Sequence, residues 1–280
     1  MLKLYIEPPE QVTEFITKAM SFQKSSKETC DYIVSSKFSY GSKTKKIIQD
    51  ALDTYIDSDT PVLIFHVTDN CEEVNIPPLV KYFRTSIYKS KQKWNEFILP
   101  YLWDRVVEQS QSQSQSQLKR SDKPIVGFCG QVVANRQEII NAFKSDQRIS
   151  TNFIIRKGFW GNKPNDPQLI QEFQKNIIDS HFTICNRGNG NFSMRFYQVL
   201  SAGRIPVLLD SDMVFPFSDE IPWQNIIVTG KTVSEVTNNL IIFWESKDIE
   251  EVQKECKRIS DTYFTLENYT DKIIKSLSAA

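Results

Sequence analysis

The chain has 280 residues, and its 34 Lys+Arg are matched by 34 Asp+Glu, so its formal net charge is zero. Without a positive field it does not collect on nucleic acid or on an anionic membrane surface, which excludes partners held by bulk charge. Hydrophobic residues at 40% and aromatics at 12% are enough for packed cores and exclude a wholly disordered chain.

The first residues carry no basic stretch followed by an apolar one, and no window approaches the roughly 18 apolar residues of a membrane span. A cytoplasmic protein without a membrane span is expected. Short apolar runs at 2–6, 32–35 and 62–67 alternate with helical patterns at 12–22 and 44–55. That rhythm predicts βα units around a parallel sheet. The run at 62–67 contains His66 and leads into Asp69, Asn70, Cys71, Glu72 and Glu73, an acidic loop at the carboxyl end of a strand. In a Rossmann-like unit such a loop faces the ligand cleft, and a carboxylate there can take a proton from a hydroxyl. Asp69 is the first candidate base, followed by Glu72 and Glu73, with Glu7 at the end of the first strand as a further candidate. A solvated acidic turn is the alternative. Segments 81–86 and 94–103 mix aromatics with cations and read as the edge of a core helix or as a wall for a sugar.

Residues 109–117 alternate Gln and Ser, a polar tract that buries nothing. It divides the chain into an N-terminal unit at 1–108, a flexible linker at 109–122 and a C-terminal unit at 123–280. Past it, strands are predicted at 125–129, 153–156, 182–185, 205–209 and 226–228, and helices at 137–144, 167–179, 193–202, 233–244 and 248–265. The five cysteines are scattered without metal-ligand spacing and read as free thiols, so neither a metal nor a cofactor is expected. His181, just before a buried strand, reads as structural.

The densest chemistry lies between 182 and 216. A strand ending at Cys185 is followed by Asn186, Arg187, Gly188, Asn189, Gly190 and Asn191, and a helix starts near Ser193, a good N-cap residue. The open N–H groups and positive dipole end of such a helix suit a phosphate, glycines let backbone approach it, and Arg187 and Arg195 can add forked donors. Ordinary turn chemistry is the alternative. Cys185, Arg187, Gly188, Ser193 and Arg195, then Ala202, Gly203, Ile205, Pro206 and Val207, and finally Phe215, Pro216, Phe217, Ile221 and Trp223 resemble the signature of the exostosin-like glycosyltransferases, family 47. The likeness reaches back weakly to Phe128, Cys129 and Gly130 with Arg136.

This resemblance implies a GT-B fold, in which two Rossmann-like domains face each other across a cleft. The C-terminal one would hold a nucleotide-diphospho-sugar through Arg136, Arg187, Gly188, Asn189, Gly190, Asn191, Ser193, Met194, Arg195 and Gln198. The N-terminal one would hold an oligosaccharide or glycoprotein glycan acceptor. An inverting, metal-independent transfer from a UDP-sugar is implied, with UDP-xylose as the donor, because the chain looks like the soluble exostosin-like proteins of large algal DNA viruses. That likeness puts it in the host cytoplasm. Three positions depart from the family pattern: Gln198 stands for a glutamate, Asn186 for a proline and Arg204 for a small residue. Arg204 either reaches the phosphates or sits solvated at the helix end. Asp210-Ser211-Asp212 reads as a turn, not a metal site. A non-catalytic carbohydrate- or nucleotide-binding protein with the same fold is the alternative function.

Overall fold

The structure is a computed structural model and describes residues 2–8, 22–39, 44–102, 106, 117–133 and 136–278. Its strands form two sheets. β1 (Lys3–Ile6), β2 (Gln23–Lys24), β3 (Tyr32–Ser39), β4 (Val62–Thr68), β5 (Val80–Arg84) and β6 (Glu96–Ile98) make a six-stranded sheet in the order β2-β1-β3-β4-β5-β6. β7 (Ile125–Gln131), β8 (Ser150–Arg156), β9 (Phe182–Ile184), β10 (Ile205–Leu209) and β11 (Val228–Gly230) make a five-stranded sheet in the order β11-β10-β9-β7-β8. Every strand pairing in both is parallel. These are the two Rossmann-like units of the GT-B arrangement.

Parallel strands are covered on both faces, which is why β4 reads as a continuous apolar run. Its side chains alternate between two cores with the period of a strand. Leu63, Phe65 and Val67 join a cluster that continues into the C-terminal unit, whereas Val62 and Ile64 pack beneath α1 (Thr44–Asp53), whose Ile48 and Leu52 lie one turn apart. β5, expected as a helix edge, is a strand for the same reason: Tyr82 enters one core and Phe83 the other. The helix expected at 12–22 lies, except for Phe22, outside the described residues.

In the C-terminal unit α2 (Arg136–Ser145), α3 (Pro167–Ile178), α4 (Met194–Ser201), α5 (Val233–Ser246) and α6 (Ile249–Tyr263) fall where the pattern predicts them. Three start on side-chain caps: Asp166 accepts from Gln168 N and Leu169 N, Thr232 from Glu235 N, and Asp248 from Glu250 N and Glu251 N. A seventh helix, α7 (Leu266–Ser278), follows the break at Phe264, and the Tyr269 hydroxyl on it donates to Ile98 O of the other unit at 3.1 Å. Of the Gln/Ser linker, residues 117–122 are described, and they dock onto the C-terminal unit. Gln253 pairs with both backbone groups of Leu118, and Arg120 stacks on Trp244.

Candidate active site

A cavity of about 940 Å³ opens between the two units at the carboxyl ends of their strands. The C-terminal unit lines it with the loop after β9 (Gly188, Asn189, Gly190, Phe192, Ser193) and with Met194, Arg195 and Gln198 of α4. Ser193 stands at the N-cap with an extended backbone and makes no side-chain capping bond. Phe196 N donates to Ser193 O at 3.1 Å, and the Ser193 hydroxyl caps none of the first-turn N–H groups.

Three guanidinium groups line this cavity, those of Arg136, Arg156 and Arg195. Each is anchored through one edge. Arg136 donates to Gln131 O and Asn186 O, both at 3.1 Å, and Arg156 donates to Leu169 O and pairs with Glu172 at 2.7 Å. Arg195 donates to Ile184 O at 3.1 Å and to Cys129 O at 2.7 Å, with its guanidinium 4.6 Å from the Phe128 ring centre. Gly130, at φ +152°, leaves the room for it: a Cβ there would come within 2.9 Å of the Arg195 Nη2. All three Nε atoms are buried with no hydrogen-bond partner among the described residues. Burial and the neighbouring Arg195 push the Arg136 pKa down to about 10, and burial lowers that of Arg195. Arg136 and Arg195 are thus desolvated cations on the cavity wall, chemistry that suits a polyanion, whereas Arg156 is already paired with Glu172.

Opposite them the N-terminal unit contributes Asp69, Tyr101 and Val106. Asp69 follows β4 directly, and burial raises its pKa above the usual carboxylate value. It faces the glycine loop: a Cβ on Gly190 would lie 3.0 Å from the Asp69 Cα and 2.7 Å from the Phe192 ring. Glu72 and Glu73 are exposed and do not line the cavity. Glu7 also lies outside it and accepts the hydroxyl of Tyr55. His66 is buried between Ser39 Oγ on Nε2 and the Tyr82 hydroxyl on Nδ1, and burial beside Arg84 and Lys37 pushes its pKa down to about 3. His181 is structural, with Ile125 N on one ring nitrogen and Lys119 O on the other.

Two loop residues expected at the phosphates point the other way. Arg187 donates to the Tyr88 hydroxyl at 2.8 Å and to Asn189 O at 3.0 Å. Asn191 takes Ser86 Oγ on its backbone N–H at 2.7 Å and donates from its side chain to Ile87 O at 3.0 Å. Neither lines the cavity; both fasten the glycine loop to the segment after β5. Asp212 extends the same clasp. Its carboxylate accepts from Ser90 N and Oγ, and its carbonyl accepts from Lys89 N at 2.7 Å. The Ser90 hydrogen bonds hold the Asp212 pKa below the usual range. Among the described residues no group of three or more His, Cys, Asp or Glu is placed to share a metal ion. Arg204 is neither at the phosphates nor solvated: it is buried and donates to Ile178, Ala202 and Gly203 carbonyls.

Tyr101, from the aromatic segment 94–103, stacks on Phe192 at 6.1 Å with ring planes 13° apart. Phe159 and Trp160 after β8 also line the cavity, Trp160 with φ +53°. Phe173 and Gln131, which reach the cavity from α3 and the end of β7, had no motif to announce them.

The profile of the exostosin GT47 domain matches residues 68–239, a span that opens one residue before Asp69 and closes within α5. A probable glucuronosyltransferase of Oryza sativa subsp. japonica is 33% identical over 79 residues, covering 26% of this chain and 19% of that protein. An exostosin-1 homolog of Caenorhabditis elegans is 22% identical over 116 residues, 40% of this chain and 30% of that protein. A probable beta-1,4-xylosyltransferase of Arabidopsis thaliana is 30% identical over 89 residues, 29% of this chain and 22% of that protein. The chain thus spans less than a third of the length of these curated relatives. A solved alpha1,3-fucosyltransferase with GDP aligns over 94% of both chains at 11% identity and a TM-score of 0.42. Among the described residues no helix is long and apolar enough to cross a membrane.

Proposed function

Because the chain belongs to the exostosin GT47 family, whose domain matches residues 68–239, we propose that it transfers a sugar from a nucleoside-diphosphate sugar to a hydroxyl of a glycan. The observation that carries this reading is that one cavity is lined by Asp69 of one unit, half-buried and with its backbone against Gly190, and by the glycine loop, Arg136 and Arg195 of the other. In the transfer, Asp69 takes the proton of the acceptor hydroxyl while that oxygen attacks the anomeric carbon and the diphosphate leaves from the opposite face, which inverts the configuration. The charge building on the leaving oxygen is met by Arg195, Arg136 and the N-terminus of α4, groups already oriented and desolvated before the donor arrives. In this scheme those cationic groups, rather than a metal ion, offset the charge of the diphosphate.

The donor is taken to be a UDP-sugar. UDP-xylose and UDP-glucuronate are the first two to test, because the relatives include a probable glucuronosyltransferase and a probable xylosyltransferase. Thermal shifts with these donors, followed by UDP release with and without simple xylosides, test the proposal, and NMR of the product reads the anomeric configuration. Binding without any turnover would replace the transferase with a carbohydrate- or nucleotide-binding protein.

A further inference from the structure

The segment that carries Asp69 is gripped on both sides from one place, the end of β5. Thr85 Oγ1 takes the Thr68 N–H at 2.9 Å and donates to Thr68 O at 2.6 Å. The adjacent Arg84 sends Nη1 to Glu72 O at 3.0 Å and to Asn70 O at 3.4 Å. Asp69 is the residue between the two grips. Short bonds within the loop close it further, from Asn70 N to Thr68 Oγ1 and from Glu72 N to Asn70 Oδ1. Arg84 can bend to those carbonyls because it is itself fixed: its Nε lies 2.6 Å from Glu96 Oε1 on the neighbouring strand, and it lies over the Tyr82 ring. The side chains of this pair are both only 3% exposed.

A buried ion pair is a weak way to stabilise a fold, because desolvating two charges cancels most of their attraction and an apolar pair of similar volume often serves as well. What an apolar pair cannot supply is a donor for the carbonyls at 70 and 72. We infer that Arg84, braced by Glu96, is a positioning residue: it holds the loop so that Asp69 lies against Gly190 and lines the cavity. This rests on the reading of Asp69 as the base. The effect runs entirely through Asp69, since Arg84 does not line the cavity.

The test is a double-mutant cycle between Asp69→Asn and the paired substitution Arg84→Met with Glu96→Leu. The pair is changed together because Arg84→Met alone strands the Glu96 carboxylate in the core. Turnover is measured as UDP release from UDP-xylose, or from UDP-glucuronate should only that donor react, and folding by calorimetric binding of UDP. The paired variant is expected to bind UDP normally and to lose about 10²-fold in kcat, the cost of a displacement on the order of 1 Å. In the Asp69→Asn background the same pair should change kcat by no more than about twofold, because the effect has nothing left to act through. A merely structural role would lower kcat by the same factor in both backgrounds, and that result overturns the inference. So does a paired variant that binds UDP and turns over at the wild-type rate. If Asp69→Asn alone retains wild-type kcat, it is the reading of Asp69 as the base that fails, and the inference falls with it.

Discussion

Replacing Arg195 by methionine separates what this side chain does for the fold from what it does for a ligand. Methionine keeps an unbranched apolar chain near Phe128 and Phe173, whose ring centres lie 4.6 and 5.6 Å from the guanidinium carbon. It removes the donors to Ile184 O and Cys129 O. Each orphaned carbonyl costs about 1 to 3 kcal/mol, but a cation that burial already disfavours no longer has to be desolvated, which offsets part of that loss. The variant is therefore expected to fold with a lowered Tm. Toward a diphosphate the loss is of a charge-assisted hydrogen bond, about 1.5 to 3 kcal/mol, or roughly a 10- to 150-fold rise in Kd. Calorimetry with UDP and with uridine reads the two separately, since only UDP carries the charge that Arg195 would meet. UDP affinity should fall and uridine affinity should not. A folded Arg195→Met protein that binds UDP within twofold of wild type would refute the placement of the diphosphate at this guanidinium.

Asp69→Asn should lower kcat by about 10² to 10⁴ with UDP affinity intact, whereas Glu72→Gln and Glu73→Gln, exposed and outside the cavity, should stay within a few-fold of wild type. Since burial raises the Asp69 pKa and the base must be ionised, kcat should fall as pH drops through a midpoint above the ordinary Asp value, and a limb at or below that value would exclude Asp69. His66 gives a stability signature. Its folded pKa of about 3 lies below the unfolded value near 6.5, so its contribution is complete above pH 6.5 and is lost as pH falls, by up to about 1.4 kcal/mol per pH unit. Urea unfolding of wild type and His66→Asn at pH 7 and pH 5 should show a shallower pH dependence in the variant, and equal slopes would mean that the imidazole is not held neutral. Turnover should also survive EDTA; activity abolished by chelation and restored by manganese would recast Asp210 and Asp212 as ligands.

Most of the C-terminal sheet was legible as short apolar runs, and its helices because caps such as Asp166, Thr232 and Asp248 act locally, whereas the strand expected at 226–228 formed at Val228–Gly230. β2 and β6 were not, since two or three residues carry no period and exist only because a neighbouring strand offers them a ladder. β5 was misread because residues 81–86 mix charge with aromatics. Arg84 is a buried cation whose partner Glu96 lies one strand away, and nothing in the run itself announces that pairing.

The loop after β9 marks where sequence reasoning stops. A motif supplies residue types in order, and at Arg187, Asn191 and Arg195 those types all suit an oxyanion equally well. Direction is decided by what the fold brings alongside. The segment after β5 arrives with the hydroxyls of Ser86 and Tyr88 and the carbonyl of Ile87, and it draws Arg187 and Asn191 away from the cavity. Arg195 on α4 instead donates to Ile184 O and Cys129 O, where the missing side chain of Gly130 leaves room for its guanidinium on the cavity wall. One glycine loop therefore serves two surfaces, with Gly188 and Gly190 turned to the cavity and Arg187 and Asn191 to the opposite unit. Because the Asp69 Cα lies 3.0 Å from the Cβ position of Gly190, the bonds that clasp the units also set the distance between Asp69 and the glycine loop. That distance is a property of the pair of sheets, and neither half of the sequence contains it alone.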